Sequence, residues 1–268
     1  MAQERKRTSR YAFAQARGSA AECERLALLQ TLRDAHTTHC LDAVGIGEGW
    51  RCLDVGAGAG SLARWLSERA GPSGRVVATD LETAALAHLD APNLDVIRHD
   101  ILVDDLPRET FDLVHTRFVL IHLPDRDEAL ARMVAAARPG GWVVVGDQDS
   151  RAVAPARPSE VFTRVWVAYL ATLTGAGVDI GYGQRIPAVL EGHGLRDVQA
   201  NGESTYWRGG SLADQFYQRT IKLLRAEILA TGLVGDSDID EFSALLTDPA
   251  FAWWGGTVWT GWGRKPGP

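Results

Sequence analysis

The stretch that most restricts the fold is residues 50–61, W-R-C-L-D-V-G-A-G-A-G-S. An apolar pair, Cys52-Leu53, leads into Asp54 and Val55, and glycines then stand at alternate positions, Gly56, Gly58 and Gly60. The pattern reads as a buried strand turning at once into a helix that starts near Ser61. Glycine is used where the backbone takes positive φ or where a ligand approaches the main chain. The acid before the first glycine adds chemical meaning. A loop built only for pyrophosphate gains nothing from a carboxylate at its mouth, whereas a loop for a cationic ligand does.

Around this turn the apolar runs alternate. Strands are expected at 51–55, 75–80, 94–100, 111–118 and 142–147, separated by helices near 61–70, 82–89 and 125–138. Two helices precede them, over 20–35 and 37–44, the second ended by Gly45. Such alternation requires a parallel sheet covered on both faces, with ligands at the carboxyl ends of its strands. Asp54, Asp80, Asp100 and Asp147 each close, or nearly close, one of these strands. Beyond residue 150 the order changes: helices at 158–174 and 183–194, a strand at 195–206, helices at 211–231 and 237–247, and a Trp-rich strand at 252–264.

Composition narrows the function. A chain of 268 residues suits one large domain. The net charge of −6 and pI near 5.7 argue against a broad basic face for nucleic acid. Cys23, Cys40 and Cys52 are odd in number and lack CxxC spacing, so neither a disulfide framework nor a metal site is expected. A reducing cytoplasm fits them. The basic start, M-A-Q-E-R-K-R, is not followed by an apolar segment, so no secretory signal is expected. No stretch approaches the roughly 18 apolar residues of a membrane span. Five of the nine tryptophans fall between Trp207 and Trp262, which places an aromatic packing surface or pocket wall in that part of the chain.

The ordered motifs L-D-V-G-A-G-A-G-S (53–61), A-T-D-L (78–81), R-H-D-I (98–101), F-D-L-V-H-T-R-F-V-L-I-H-L-P-D (111–125) and A-R-P-G-G-W-V-V-V (137–145) carry a resemblance. They resemble the class I S-adenosylmethionine-dependent methyltransferases, in the small-molecule branch related to ubiquinone/menaquinone biosynthesis and bacterial secondary metabolism. The resemblance covers 20–147 motif by motif and 150–268 in outline. It implies an α/β, Rossmann-like, seven-stranded and mostly parallel sheet in the order 3-2-1-4-5-7-6, with strand seven antiparallel and helices on both faces. Residues 20–268 would form this domain, with lid helices inserted around 151–194, and residues 1–19 a flexible arm. The implied cofactor is S-adenosyl-L-methionine. Asp54 and the backbone of Gly56 and Gly58, with Gly60 in the same loop, would hold its methionine end. Asp80 would take the ribose hydroxyls and Leu81 the adenine face. Asp100 and the Ile101 N–H would read the adenine edge. Thr116 and Arg117 would lie near the methionine carboxylate or the transferred methyl. Asp80 and Asp100 can also be read as simple helix N-caps. A dinucleotide fingerprint wants G-x-G-x-x-G/A, but Ser61 stands at its last position and the acid at 100 has no role in it.

Methyl transfer from a sulfonium is an in-line displacement, so alignment is the main task of the protein, and a base helps where a hydroxyl is the acceptor. His122 in I-H-L-P-D is the first candidate base, with Asp147 and then Asp149 next; His115 is expected to be buried in its strand. His122 can instead pack beneath the next helix, and Asp147 can be an acid behind the cofactor. Tyr11, Phe13, Phe118, Trp166, Tyr169, Tyr182 and Arg185 are expected around the acceptor, although Trp166 and Tyr169, three apart, also fit ordinary core packing. The expected activity is methylation of a small aromatic or hydrophobic metabolite, with oxygen slightly ahead of nitrogen or carbon. A cofactor-binding protein with a non-methylating reaction such as cyclisation, or with a regulatory role, is the alternative. No nucleic-acid or membrane partner is expected, and a homodimer is left open.

Overall fold

The computed structural model describes Phe13 and residues 18–267. Tyr11 and most of the expected arm lie outside them. Helix α1 (Ala20–Val44) opens on Ser19, whose hydroxyl accepts from the Glu22 N–H at 3.2 Å, and closes on Gly45 in the left-handed region. It is one helix rather than two. The buried face carries Arg33, His36 and Thr37 among its apolar residues, which hides the helical period in the sequence. Thr37 and Thr38 return their hydroxyls to the carbonyls of Arg33 and Asp34, so the polar stretch is absorbed without a break.

The sheet follows: β1 (Arg51–Val55), α2 (Ser61–Ala70), β2 (Arg75–Asp80), β3 (Leu94–Arg98), β4 (Phe111–Arg117), α3 (Arg126–Ala136) and β5 (Ala137–Asp149). Next come β6 (Ala154–Pro155), α4 (Glu160–Gly175), α5 (Tyr182–Gly192), β7 (Arg196–Glu203), β8 (Tyr206–Arg208), α6 (Leu212–Leu223), α7 (Arg225–Ala230), α8 (Asp236–Leu245), β9 (Ala252–Trp254) and β10 (Thr257–Arg264). The main sheet has seven strands in the order β3-β2-β1-β4-β5-β10-β7. The first five are parallel, and β10 runs antiparallel between β5 and β7. This is the expected order 3-2-1-4-5-7-6 with the last strand reversed. Asp54 stands level with His115 across the β1–β4 pair, at the carboxyl edge where the ligand side opens.

Four segments differ from the expectation. The 82–89 helix is only a short 3-10 turn, Ala84–Leu86, because the chain is drawn under the glycine loop, where Leu86 is fully buried. The 195–206 strand divides into β7 and β8. The Trp-rich strand divides at Gly255-Gly256 into β9 and β10, so that β6, β9 and β8 form a second, three-stranded sheet. The 211–231 helix breaks at Leu224. Helix α5 packs against β5, β10 and β7 and so joins the layer covering the main sheet.

Trp253, from the second sheet, packs into an aromatic cluster with Phe162, Trp166 and Tyr217. Its indole N–H donates to Asp214 Oδ1 at 2.8 Å, while Asp214 Oδ2 caps α6 by accepting from the Ser211 N–H at 2.9 Å. One carboxylate therefore satisfies a helix start and a buried indole. Asp214→Ala is expected to destabilise the fold by about 2 kcal/mol in urea denaturation, from a lost cap and an orphaned N–H. A loss under about 0.5 kcal/mol would contradict this, being the size of an ordinary surface change.

Candidate functional site

A cleft of about 1090 Å³ opens at the carboxyl ends of β1, β2, β4 and β5 and is walled by α1, α4 and α6. Its floor is the glycine loop. Gly56 lies at φ 72°, and a Cβ there would stand 2.2 Å from Val119 Cγ2. Gly58 lies at φ 61° with nothing within 4 Å of a Cβ position, so its backbone is open to the cleft. Gly60 is packed under Leu86 and Leu89 and does not line the cleft.

The loop is held from two sides. The Gly56 and Ala57 N–H groups donate to the Thr79 carbonyl at 2.8 and 2.9 Å, and Asp80 accepts from Gly58 at 2.9 Å and from Glu82 at 3.1 Å. From α1, the Gln30 amide oxygen, turned to satisfy both groups, accepts from Ala59 and Gly60 at 3.1 Å each. Asp34 takes the Ser61 hydroxyl at 3.1 Å and pairs with Arg117 at 2.8 Å, while Arg117 also donates to Thr37 at 2.9 Å. Helix α1 is thus tied to the turn and to the end of β4. Gln30 and Asp34 were not singled out by sequence reasoning, because the polar face of α1 looks like a solvated one.

Leu81, His99, Asp100 and Ile101 line the far end of the cleft beside Asp80. Asp100 accepts from the Leu102 N–H at 2.9 Å with one oxygen. In β4, His115 and Arg117 face the cleft, whereas Thr116 between them is fully buried and donates to the Val55 carbonyl at 2.9 Å. In β5 and just past it, Gln148 and Ser150 face the cleft and Asp147 and Asp149 do not. Both results follow from the alternation of side chains along a strand. Gln148 Nε2 donates to Ser150 Oγ at 3.1 Å and to Tyr217 Oη at 3.2 Å, which makes a polar cluster at the acceptor end.

Asp147 is fully buried. One carboxylate oxygen accepts weakly from the Ile121 N–H at 3.3 Å and the other has no partner among the described residues. Burial holds its pKa well above the usual carboxylate range, so the group is best read as a neutral acid beneath the site. Asp149 is pulled below that range by its ion pair with Arg151. His122 does line the cleft, but burial, with the positive charges of Arg25 and Arg126, drives its imidazole down to about 3. It is neutral at physiological pH and a weak base.

These shifts give stability a pH dependence. Well below the ordinary value of 3.8, Asp147 is protonated in both folded and unfolded chains and contributes nothing. As pH rises, the unfolded chain ionises and the folded one does not, so stability falls until the folded pKa is reached. Asp147→Asn is therefore expected to raise the melting temperature at pH 8, with the gain shrinking toward zero near pH 4. His122 works in the opposite sense, costing stability as pH falls from 6.5 toward 3, and is common to both proteins. An equal gain at both pH values would contradict the buried neutral acid.

The acceptor end is apolar and aromatic. Phe118, at φ 56° just past β4, lines it together with Tyr169, Phe216, Tyr217 and Phe13. A non-glycine residue held there stores of order 1 kcal/mol of strain, a cost that recurs at ligand sites. The buried Glu22–Arg25 pair joins this wall at 2.7 Å, with the guanidinium 4.1 Å from the Phe13 ring centre. Three expected residues stand elsewhere. Trp166 is in the core, stacked on Phe162, while Tyr169, one turn on, reaches the cleft. Tyr182 is buried at the start of α5, away from the cleft, with Arg126 and Arg185 against its ring. Arg185 is engaged with Asp179.

Strand order, reversed last strand and a glycine loop flanked by strand-end acids define the class I methyltransferase fold. Residues 53–143 match the family model of a methyltransferase domain. The matched residues lie within the part of the chain that has the class I strand order. The chain is similar to the ubiquinone/menaquinone biosynthesis C-methyltransferase UbiE of Hahella chejuensis, at 31% identity over 113 residues, 39% of this chain and 45% of that one. It is also similar to methyltransferase str2 of Strobilurus tenacellus, at 30% identity over 156 residues, 56% of this chain and 55% of that one. The chain thus spans about half the length of these curated relatives. Among solved structures, phosphoethanolamine N-methyltransferase 2 of Haemonchus contortus, in complex with phosphomonomethylethanolamine and S-adenosylhomocysteine, superposes with a TM-score of 0.52. That match has 18% identity and covers 91% of this chain and 52% of the other, a likeness of fold. No helix of the described residues is long and apolar enough to cross a membrane.

Proposed function

We propose that the chain binds S-adenosyl-L-methionine and transfers its methyl group to a small aromatic or hydrophobic acceptor. The observation that carries this reading is one continuous cleft with two chemically different ends. Asp54, the open Gly58 backbone, Asp80, Leu81 and Asp100 line one end, and aromatic side chains with the Gln148–Ser150–Tyr217 cluster line the other. Asp54 Oδ2, buried and without a partner among the described residues, and the open backbone at Gly58 suit a cationic amino-acid end lying over the loop.

S-adenosylmethionine, when bound, supplies an activated methyl on sulfur for in-line displacement. The work of the chain is then alignment and exclusion of water. Asp80 and Asp100 fix the nucleoside, the glycine loop fixes the amino-acid end, and Phe118 and Tyr169 hold the acceptor against it. Helix α4 serves as the lid over this end, with Phe13 against the same wall. His122, neutral and weakly basic, positions the acceptor as a hydrogen-bond partner and does not store its proton. The acceptor atom is accordingly the oxygen of an acidic phenol or enol, whose proton leaves without a strong protein base.

This reading predicts that His122→Ala lowers kcat less than about tenfold and leaves the rate profile between pH 5.5 and 8.5 unchanged, whereas loss of a general base costs about 10²–10⁴-fold. The activity itself is tested by incubation with labelled cofactor and a panel of phenols, enols and amines. S-adenosylhomocysteine together with a methylated phenol or enol supports the assignment. Tight cofactor binding with no turnover on any acceptor contradicts methyl transfer.

A further inference from the structure

His115 was expected to be buried in its strand. It is fully buried, yet it lines the cleft beside Asp54, and its Nδ1 lies 2.7 Å from Asp54 Oδ1. Two acceptors do not face each other at that distance, so Nδ1 carries the hydrogen and donates it to the carboxylate. The remaining polar atoms of the pair, Asp54 Oδ2 and His115 Nε2, are buried and have no partner among the described residues. Unpaired buried acceptors are costly, and the cost is recovered when a ligand brings N–H donors to them. With its hydrogen on Nδ1, the ring leaves Nε2 as an acceptor beside the free Asp54 carboxylate oxygen. Arg117, in the same strand, is paired with Asp34 on α1.

We infer that His115 is a positioning residue for the amino-acid end of the cofactor. By holding Asp54 Oδ1 it turns Oδ2 toward the cleft to receive the α-ammonium group, and its own Nε2 offers that group a second acceptor. The inference rests on the cofactor reading above and goes beyond it. It makes recognition of the ammonium depend on a side chain from the neighbouring strand, not on the glycine loop alone.

The test compares two ligands by calorimetry. S-adenosylhomocysteine carries the α-ammonium, and 5′-methylthioadenosine lacks the whole amino-acid end. In His115→Phe, which removes the donor but keeps a flat ring, S-adenosylhomocysteine affinity is expected to fall at least about tenfold, while methylthioadenosine affinity stays within about twofold. His115→Asn, whose amide N–H can replace Nδ1 but which lacks the Nε2 acceptor, is expected to fall between wild type and His115→Phe for S-adenosylhomocysteine and to leave methylthioadenosine within about twofold. Equal losses on both ligands in His115→Phe would reduce the residue to packing and overturn the inference. So would an unchanged S-adenosylhomocysteine affinity, or an Asn variant as weak as the Phe variant. Should Phe not be accommodated, His115→Leu carries the same expectations. Wild-type protein that binds neither ligand would instead overturn the cofactor reading itself, and this assignment with it.

Discussion

Asp80→Ala is expected to weaken S-adenosylhomocysteine binding by roughly 100-fold, about 3 kcal/mol. A single neutral hydrogen bond is worth only about 1 kcal/mol, and bonds to a charged group about 1.5–3. Asp80 is charged, and the proposed ribose hydroxyls would both rest on it, so two contacts are lost together. A third effect adds to them. Asp80 also accepts from the Gly58 and Glu82 N–H groups, so its removal frees the loop that forms the cleft floor. The protein should still fold, because neither backbone group is deeply buried and both can turn to water. Calorimetry on the folded variant reads the effect. A loss under about threefold would mean that Asp80 only caps the turn after β2, as strand-end aspartates often do.

Gly56→Ala is expected to cost more, in stability as well as binding. The residue lies at φ 72°, where an L side chain is strained by about 1–2 kcal/mol, and its Cβ would meet Val119 Cγ2 at 2.2 Å. No rotamer of the new methyl avoids that contact, so the β1 turn or the segment after β4 must move. The expected destabilisation is about 2–4 kcal/mol, and the cofactor affinity should fall with it, since the Gly56 and Ala57 N–H groups lose their register on Thr79. The double variant Gly56→Ala, Val119→Ala separates the two causes. It should recover the part due to the clash and keep the roughly 1–2 kcal/mol of backbone strain. Urea denaturation checks both variants, and a Gly56→Ala protein as stable as wild type would contradict the tight packing of this turn.

The architecture up to β5 was legible because the parallel strands carry apolar runs, with glycine after β1 and aspartate at the ends of β2 and β5. Segments shaped by tertiary packing were less so. The helix expected over 82–89 is a single tight turn, since burying Leu86 beneath the glycine loop outweighs local helical propensity. The polar residues of α1 suggested a break, but Arg33, His36 and Thr37 are buried inside one continuous helix. At the cleft, Asp54, expected at the methionine end, and Asp80, Leu81, Asp100 and Ile101, expected around the nucleoside, all line the same wall. The acceptor end was harder to read, and the reason is parity. Sequence chemistry favoured the acids Asp147 and Asp149, yet in an extended strand it is the intervening Gln148 and the next alternate residue, Ser150, that face the cleft. The same parity puts His115 and Arg117 at the cleft and turns Thr116 away. Tyr217 and Phe216 come from α6, far along the chain, and no local pattern marks them. His122 was placed in the cleft by its motif, but its basicity is set by burial and by Arg25 and Arg126, which only the folded chain brings near.

The central claim is that this cleft is an S-adenosylmethionine site and not a dinucleotide site. Calorimetric titration of the wild-type chain with S-adenosylhomocysteine, and separately with NAD, tests it most directly. Saturable one-to-one binding of S-adenosylhomocysteine and no heat with NAD are expected. Absence of S-adenosylhomocysteine binding, or binding of NAD with comparable affinity, would contradict it.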